Sequence, residues 1–411
     1  MTRRRLRKTL QCPSCWEKSD TLDLLWISEH QELRNDLRLK EEPIRFLPTR
    51  FTPDGRALDL KGFPSSQIAC PHCHLQVPRS LLEFRGFPIA VLGAPSSGKS
   101  FFLGALTWTL RGSLPTQLNL SFDDADASAN LIVNEYEQSL FMTEGNGHPV
   151  ALPEMIKKTL TDGALYRTVR YADHEAKYAV PFSFAMLPTV EHPAFDRRGE
   201  TGRTVLLYDT AGEHFLPGRS DDSLSITRNL SGCSALLFVF DPTQDVQFRR
   251  SLRQQGVSLA ERESRSQIPI LQEAATRIRR FTSLPQSEKT KQPLIIVLTK
   301  CDSWVDRRTI PSTELLIEGR NGRKMLDMNS LQKVSDKLRR KLQTVSPQLV
   351  NAADSFSDQV YFVPVSAVGW QCKSDNTNKA SPYSIEPELI DPFWVTAPFL
   401  LAMQLTTSQL I

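Results

Sequence analysis

The segment FPIAVLGAPSSGKSFFLGALTWTL, residues 87–110, decides how the rest of the chain is read. Ile89, Ala90, Val91 and Leu92 form an unbroken apolar run, the pattern of a strand buried on both faces. The run stops at Gly93, passes through a turn of small residues, and re-enters an apolar stretch that reads as a helix. The turn itself, GAPSSGKS at residues 93–100, matches Gly-x4-Gly-Lys-Ser without a mismatch. Between a strand and a helix this loop cradles phosphate: its backbone N–H groups and the helix N-terminus point at the anion. Lys99 supplies a mobile positive charge for β- and γ-phosphates, and the Ser100 hydroxyl can ligate Mg²⁺. Gly93, Ala94, Pro95, Ser96, Ser97, Gly98, Lys99, Ser100 and the following Phe101 are therefore the expected phosphate-binding residues.

Three later segments lie in the order that a nucleotide site needs. In LLYDTAGEHF, residues 206–215, an apolar strand ends at Asp209, placed to hold Mg²⁺ through water, with the Gly212 N–H available to a γ-phosphate. Asp-x-x-Gly alone is a common turn; its weight comes from lying downstream of the phosphate loop. In PLIIVLTKCD, residues 293–302, the Asp302 carboxylate can accept from guanine N1–H and its 2-amino group together, donors that adenine lacks. The Lys300 stem can lie along the base, with Thr299 before it. In VPVSAVG, residues 363–369, Ser366 and Ala367 follow a strand, where a backbone N–H can meet guanine O6.

With those four motifs in order, residues 85 to about 405 resemble the translation-factor-like class of P-loop GTPases, which includes Ras-like proteins. The long insertion before the second strand, TKCD, and the closing DPFWVTAPFLLAM (391–403) resemble, more narrowly, the bacterial double-GTPase families of conflict systems. The resemblance implies an α/β P-loop NTPase fold with a mostly parallel sheet of about six strands, one pair antiparallel. It further implies GTP and GDP as ligands, Mg²⁺ as cofactor, and a protein partner that is an activator or a second GTPase. Thr299 stands where the family usually has Asn, and Pro95 replaces a common glycine. The Mg²⁺-binding switch threonine is not marked by a motif; among Thr159, Thr161 and Thr168, Thr161 is the choice. Glu213 stands where Ras-like relatives carry glutamine. It can accept from an attacking water but, once ionised, cannot donate toward the phosphoryl group. His214 beside it either orients water or faces solvent. Lys99, Glu213 and His214 are the expected catalytic residues, hydrolysis by the lone chain is expected to be slow, and Arg167, Arg170 and Arg203 flank the switch strands without an assignable finger.

The remaining 84 N-terminal residues carry two Cys-x-x-Cys pairs, CPSC (12–15) and CPHC (70–73). That spacing brings two thiolates to one tetrahedral Zn²⁺, so Cys12, Cys15, Cys70 and Cys73 complete a closed structural site, with His72 and His74 as spare candidates. The segment RFTPDGRALDLKGFP (50–64) between them reads as a hairpin excursion. This gives a zinc-ribbon-like module over 1–84 and a GTPase domain over 85–411 with an insertion at about 112–176. Seven cysteines, an odd number with four in tight pairs, do not suggest a disulfide framework.

Composition agrees with a globular protein: 411 residues, 40% hydrophobic and 23% charged. A net charge of +4 is too mild to argue for nucleic acid, and the basic RRRLRK (3–8) reads first as a solvated tail. No apolar run reaches the roughly 18–20 residues of a membrane span, and Pro398 interrupts the nearest, PFWVTAPFLLAMQL. MTRRRLRKTLQC has no apolar core behind it, so a cytoplasmic protein is expected. Downstream, a helical stretch over about 245–282, an amphipathic helix with Leu331, Val334, Leu338 and Leu342 on one face, a closing helix near 393–405 and a polar flexible loop over 371–384 are expected. Two rivals stand beside the switch GTPase. One is an ATP-using P-loop enzyme, which Asp302 argues against; the other is a zinc-ribbon adaptor for nucleic acid or protein whose GTPase domain is regulatory or inert.

Overall fold

The structure, a computed structural model, describes residues 6–143, 145, 147–156, 165–216, 224–257, 267–307, 315–318, 324–374 and 383–407. Thr159 and Thr161 lie outside the described residues. Among the described residues, seven strands make the central sheet: β1 (Arg85–Gly93), β2 (Leu120–Asp124), β3 (Phe182–Pro188), β4 (Arg203–Ala211), β5 (Ala235–Phe240), β6 (Leu294–Leu298) and β7 (Val360–Pro364). Their spatial order is β2-β3-β4-β1-β5-β6-β7. β3 runs antiparallel to both neighbours, and every other adjacent pair is parallel. The runs ALLFVF and LIIVL are buried at every position, as strands covered on both faces must be. Alternate residues feed opposite cores: Ile89, Val91, Val205 and Leu207 join one, and Ala90, Leu92, Leu206 and Tyr208 join the other.

Helices α1 (Lys99–Ser113) and α2 (Leu131–Phe141) lie on the first face. On the second lie α3 (Leu224–Gly232), α4 (Val246–Gln254) and α5 (Ile268–Thr282). α6 (Met328–Val345) contributes Leu331 to the first core and Leu342 to the second. α7 (Pro347–Phe356) packs on the second face and α8 (Ala397–Thr406) on the first. From β1 the chain goes to one side of the sheet for β2 to β4, then to the other side for β5 to β7. Such a reversal of strand order opens a crevice at the carboxyl ends of the strands, and the phosphate loop leaves β1 there.

Against the expected sheet of about six strands with one antiparallel pair, the described residues form seven strands and two antiparallel pairs, both made by β3. The extra one, β2, comes from the stretch assigned to the insertion and pairs with β3 from Leu120↔Pro188 to Asp124↔Phe184. Phe122 stacks on Phe184 at 4.5 Å, which anchors this edge. The rest of that stretch includes α2 and an antiparallel hairpin, Tyr166–Arg170 with Glu175–Ala179, outside the sheet. Thr168 lies in that hairpin. Val150–Ala151 joins Tyr383–Ile385 and Lys373–Ser374 in a small three-stranded sheet, so part of the loop expected over 371–384 is strand. The helical stretch expected over about 245–282 is two helices, because α4 ends at Gln254, capped by Gln255, and Gly256 takes φ +79°, a left-handed terminator.

Before β1 the chain forms strands of two to four residues. Ile68–Ala69 lies between Gln76–Val77 and Leu25–Ile27, which also pairs with Arg45–Phe46. The excursion between the cysteine pairs closes as a hairpin, Ala57–Leu58 with Pro64–Ser65. Among the described residues no helix is long and apolar enough to cross a membrane.

Candidate functional site

The phosphate loop is held by close backbone approach. A Cβ at Gly93 would lie 2.8 Å from both the Ser97 hydroxyl and the Val239 carbonyl of β5, so only glycine fits. The loop turns through left-handed backbone at Ser96 (φ +62°) and Gly98 (φ +91°) before α1 begins at Lys99. Ala94 is buried, and the Ser97 hydroxyl is buried with no hydrogen-bond partner among the described residues. Lys99 Nζ pairs directly with Asp209 Oδ1, joining α1 to the end of β4. A Cβ at Gly212 would lie 2.5 Å from the Gly93 carbonyl, so the Asp-x-x-Gly turn crosses the start of the phosphate loop at backbone contact.

Gly212–Phe215 is a single 3-10 turn pinned by Phe215, which is fully buried. Arg277 of α5 donates to the His214 carbonyl at 3.0 Å and lies over the Phe215 ring, while Glu273 holds its Nε at 2.6 Å. The His214 ring meets Tyr166 edge-on at 5.1 Å, and Glu213 is half-buried. Of the three flanking arginines, Arg203 caps the carbonyls of Glu200, Thr201 and Gly202 at the far end of β4. Six residue steps along the strand separate it from Asp209, about 20 Å at ~3.3 Å each. Arg170 pairs with Glu175 at 2.6 Å and Arg167 with Glu42 at 3.5 Å. Arg277 is the arginine on the turn, and nothing in its polar helix marks it in the sequence.

The loop after β6 is bound to the phosphate loop. Thr299 Oγ1 donates to the Ser97 carbonyl at 2.7 Å, and the left-handed Lys300 (φ +55°) donates to the Ser96 carbonyl at 3.1 Å. The Lys300 ammonium also pairs with Asp241, a wholly buried carboxylate at the end of β5. Asp241 accepts from the Thr243 N–H (2.8 Å) and hydroxyl (2.6 Å), and Gln267 brackets its backbone on both sides. Gln244 adds a second donor to the Ser96 carbonyl at 2.8 Å. Asp241, Gln244 and Gln267 were not among the expected site residues.

Asp302 carries a buried carboxylate oxygen, Oδ1, with no hydrogen-bond partner among the described residues. Burial pushes this carboxyl up, and a hydrogen bond with Ser366 and the nearby Lys300 offset the rise only in part. The Ser366 N–H is already donated to the Phe393 carbonyl at 3.0 Å. Its neighbour Ala367 makes no backbone hydrogen bond among the described residues. Trp304 closes the loop from behind, its indole N–H donating to the Thr299 carbonyl at 2.8 Å.

The second cluster is Cys12, Cys15, Cys70 and Cys73, all buried, with their Sγ atoms within 4.8 Å of one another. The cross pairs Cys12–Cys73 and Cys15–Cys70 each stand 3.7 Å apart. A tetrahedron with Zn–S of about 2.3 Å has edges of about 3.8 Å, so the donor set and its size fit Zn²⁺. Each knuckle folds alike: the N–H after its second cysteine bonds back to its first cysteine's carbonyl, and that residue (Trp16, His74) is left-handed. Burial holds the Cys12 thiol far above its ordinary value, whereas hydrogen bonds from the neighbouring thiols hold Cys70 down. The two spare histidines stand apart. His72 is exposed, and His74 Nδ1 meets Asp36 at 2.9 Å. Burial of Asp36 is outweighed there by His74 and by the N–H groups of Arg38 and Arg45, which bring its carboxyl to about 2.

No family model matches this chain, and no curated protein does. Among solved structures, a GTP-binding protein from the hyperthermophilic archaeon Sulfolobus solfataricus in complex with GDP is 13% identical, with a TM-score of 0.25. That match covers 68% of this chain and 47% of the other. The S. cerevisiae Ski7 GTPase-like domain bound to GTP is 15% identical at 0.27, covering 71% and 45%. Sup35 complexed with GDP is 14% identical at 0.23, covering 69% and 38%. The chain thus spans about half the length or less of these three structures, and at such scores the likeness transfers nothing to individual residues.

Proposed function

We propose that the chain is a guanine-nucleotide switch that binds GTP and GDP and hydrolyses GTP slowly by itself. The observation that carries this reading is the unpartnered, buried Oδ1 of Asp302 at the carboxyl end of the sheet, beside a loop bonded to the Gly-x4-Gly-Lys-Ser turn. A buried acceptor without a donor is costly unless a ligand supplies one, and guanine brings two. Lys300 would flank the base, and the Ala367 N–H would meet O6, since that of Ser366 is spent.

In this reading Lys99 exchanges Asp209 for the β- and γ-phosphates, which frees the carboxylate for the cation. Ser100 and Asp209 would hold Mg²⁺, with Thr161 the proposed third residue. Bound Mg²⁺ neutralises charge on the phosphate oxygens. The Gly212 N–H would report the γ-phosphate. Glu213 and His214 would act on the attacking water, with Glu213 unable to donate. A partner's arginine, worth about 10³ to 10⁵ in rate where one is used, would complete the site. Residues 1–84 would form a zinc-held module and 85–411 the nucleotide domain. The cytoplasmic placement and the role in a bacterial conflict-type system, with an activator or second GTPase as partner, belong to the same proposal.

Competition of GTP and ATP for the full chain tests the base assignment. Asp302→Asn exchanges the acceptor for an amide and should weaken GTP while favouring xanthosine triphosphate. A variant that keeps full preference for GTP would overturn it.

A further inference from the structure

We propose that the first cysteine knuckle braces the switch, with Tyr208 as a positioning residue that fixes the adjacent Asp209. The proposal deepens the guanine-nucleotide reading and rests on it. The knuckle meets both flanks of the Asp-x-x-Gly segment. Upstream, the Tyr208 hydroxyl donates to the Pro13 carbonyl at 2.5 Å, and its ring lies 6.0 Å from that of Trp16. Pro13 sits between Cys12 and Cys15, within the knuckle that carries those two thiolates. Downstream, the Trp16 ring rests on Gly232 at the end of α3. A Cβ there would lie 2.2 Å from the indole carbon Cζ3. Arg228 of α3 reaches back to Glu17 at 2.7 Å and to the Trp16 carbonyl at 3.3 Å.

Two further observations support a clamp under load. Both polar atoms of the Asn229 amide on α3 are buried without hydrogen-bond partners among the described residues, so this junction is kept closed at a cost. A second route runs through the hairpin 166–179. Its Val169 packs into the cysteine core, its Tyr166 meets His214, and its Lys177 carbonyl accepts from Ser225 of α3. Coupling of this kind is reciprocal: the factor by which the metal tightens nucleotide binding is the factor by which nucleotide retains the metal.

The test uses the zinc-loaded full chain and the variants Tyr208→Phe, which deletes the hydroxyl, and Gly232→Ala, which pushes on the Trp16 ring. Fluorescent GTP and GDP analogues are titrated at several Mg²⁺ concentrations. Zinc release to a chromogenic chelator is timed with and without GTP. Both variants should hold one zinc per chain, yet bind GTP roughly three- to tenfold more weakly, the scale of one hydrogen bond, and need more Mg²⁺. GTP should slow zinc release from the wild type, and from the variants far less. Zinc-loaded variants with wild-type affinity and Mg²⁺ dependence would overturn the brace alone. A wild type that binds no guanine nucleotide would overturn the reading beneath it, and the brace too.

Discussion

Replacing Asp241 with Asn should loosen the joint between the two loops of the site. Asp241 has no exposed surface, and its carboxylate is the counter-ion of Lys300, whose side chain keeps 26% of its own exposure. Asparagine preserves the volume and one acceptor, so the bonds from Thr243 can persist. Its amide, however, must then present a donor to the Lys300 ammonium or to Gln244, which are donors themselves. A hydrogen bond to a charged group contributes about 1.5–3 kcal/mol, and partial solvation of Lys300 argues for the lower half. We expect a loss of about 2 kcal/mol in stability, roughly thirtyfold in the folding equilibrium. Because Lys300 also holds the Ser96 carbonyl, the dissociation constant for GDP should rise about tenfold by the same reckoning. Urea unfolding followed by tryptophan fluorescence, and titration with a fluorescent GDP analogue, read the two effects. An unchanged unfolding midpoint together with unchanged GDP affinity would refute the joint.

Three other outcomes follow from the same geometry. Burial raises the folded-state pKa of Asp302 above its unfolded value, so the native state holds that proton more tightly and its ionisation costs stability as pH rises through the raised pKa. The wild type should therefore gain stability relative to Asp302→Asn on mild acidification, before ordinary carboxylates titrate; parallel curves for the two proteins would contradict this. In single-turnover assays the lone chain should hydrolyse GTP slowly, and Glu213→Gln should be no slower; fast turnover indifferent to Glu213→Gln and His214→Ala would exclude these residues from water activation. Elemental analysis should find one Zn²⁺ per chain, and Cys12→Ser should lose it and destabilise chiefly residues 6–84, because metal binding and folding are coupled; chelator-free protein without zinc would count against the site.

What the sequence made legible was whatever is local. GAPSSGKS, the unbroken LIIVL and ALLFVF, and the Cys-x-x-Cys spacing each carry their structure within a few residues. β2 was hidden because an edge strand needs little: in LSFDD only Leu120 and Phe122 are buried apolar residues, too short an alternation to notice. Asp241 follows its strand like any turn-forming acid, and its weight comes from Lys300, distant in sequence. The Ser366 N–H is spent on a partner distant in sequence: the loop after β7 bridges the segment before α8, Ser366 with Phe393. Trp16 likewise reads as an ordinary aromatic, since Gly232, the surface it needs, lies on an element far along the chain.

The repeated knuckle geometry has a practical consequence for protein engineering. Each half of the cysteine cluster closes its own ring of hydrogen bonds, so the chain between them need only start and finish in the right place. Doubling such a tether costs only about 0.6 kcal/mol in closure entropy. The turn Thr52–Arg56, with Gly55 left-handed and open space where a Cβ would be, is the exposed tip of that tether. An epitope or reporter peptide spliced in there should be displayed outward while the fold beneath it stays shut.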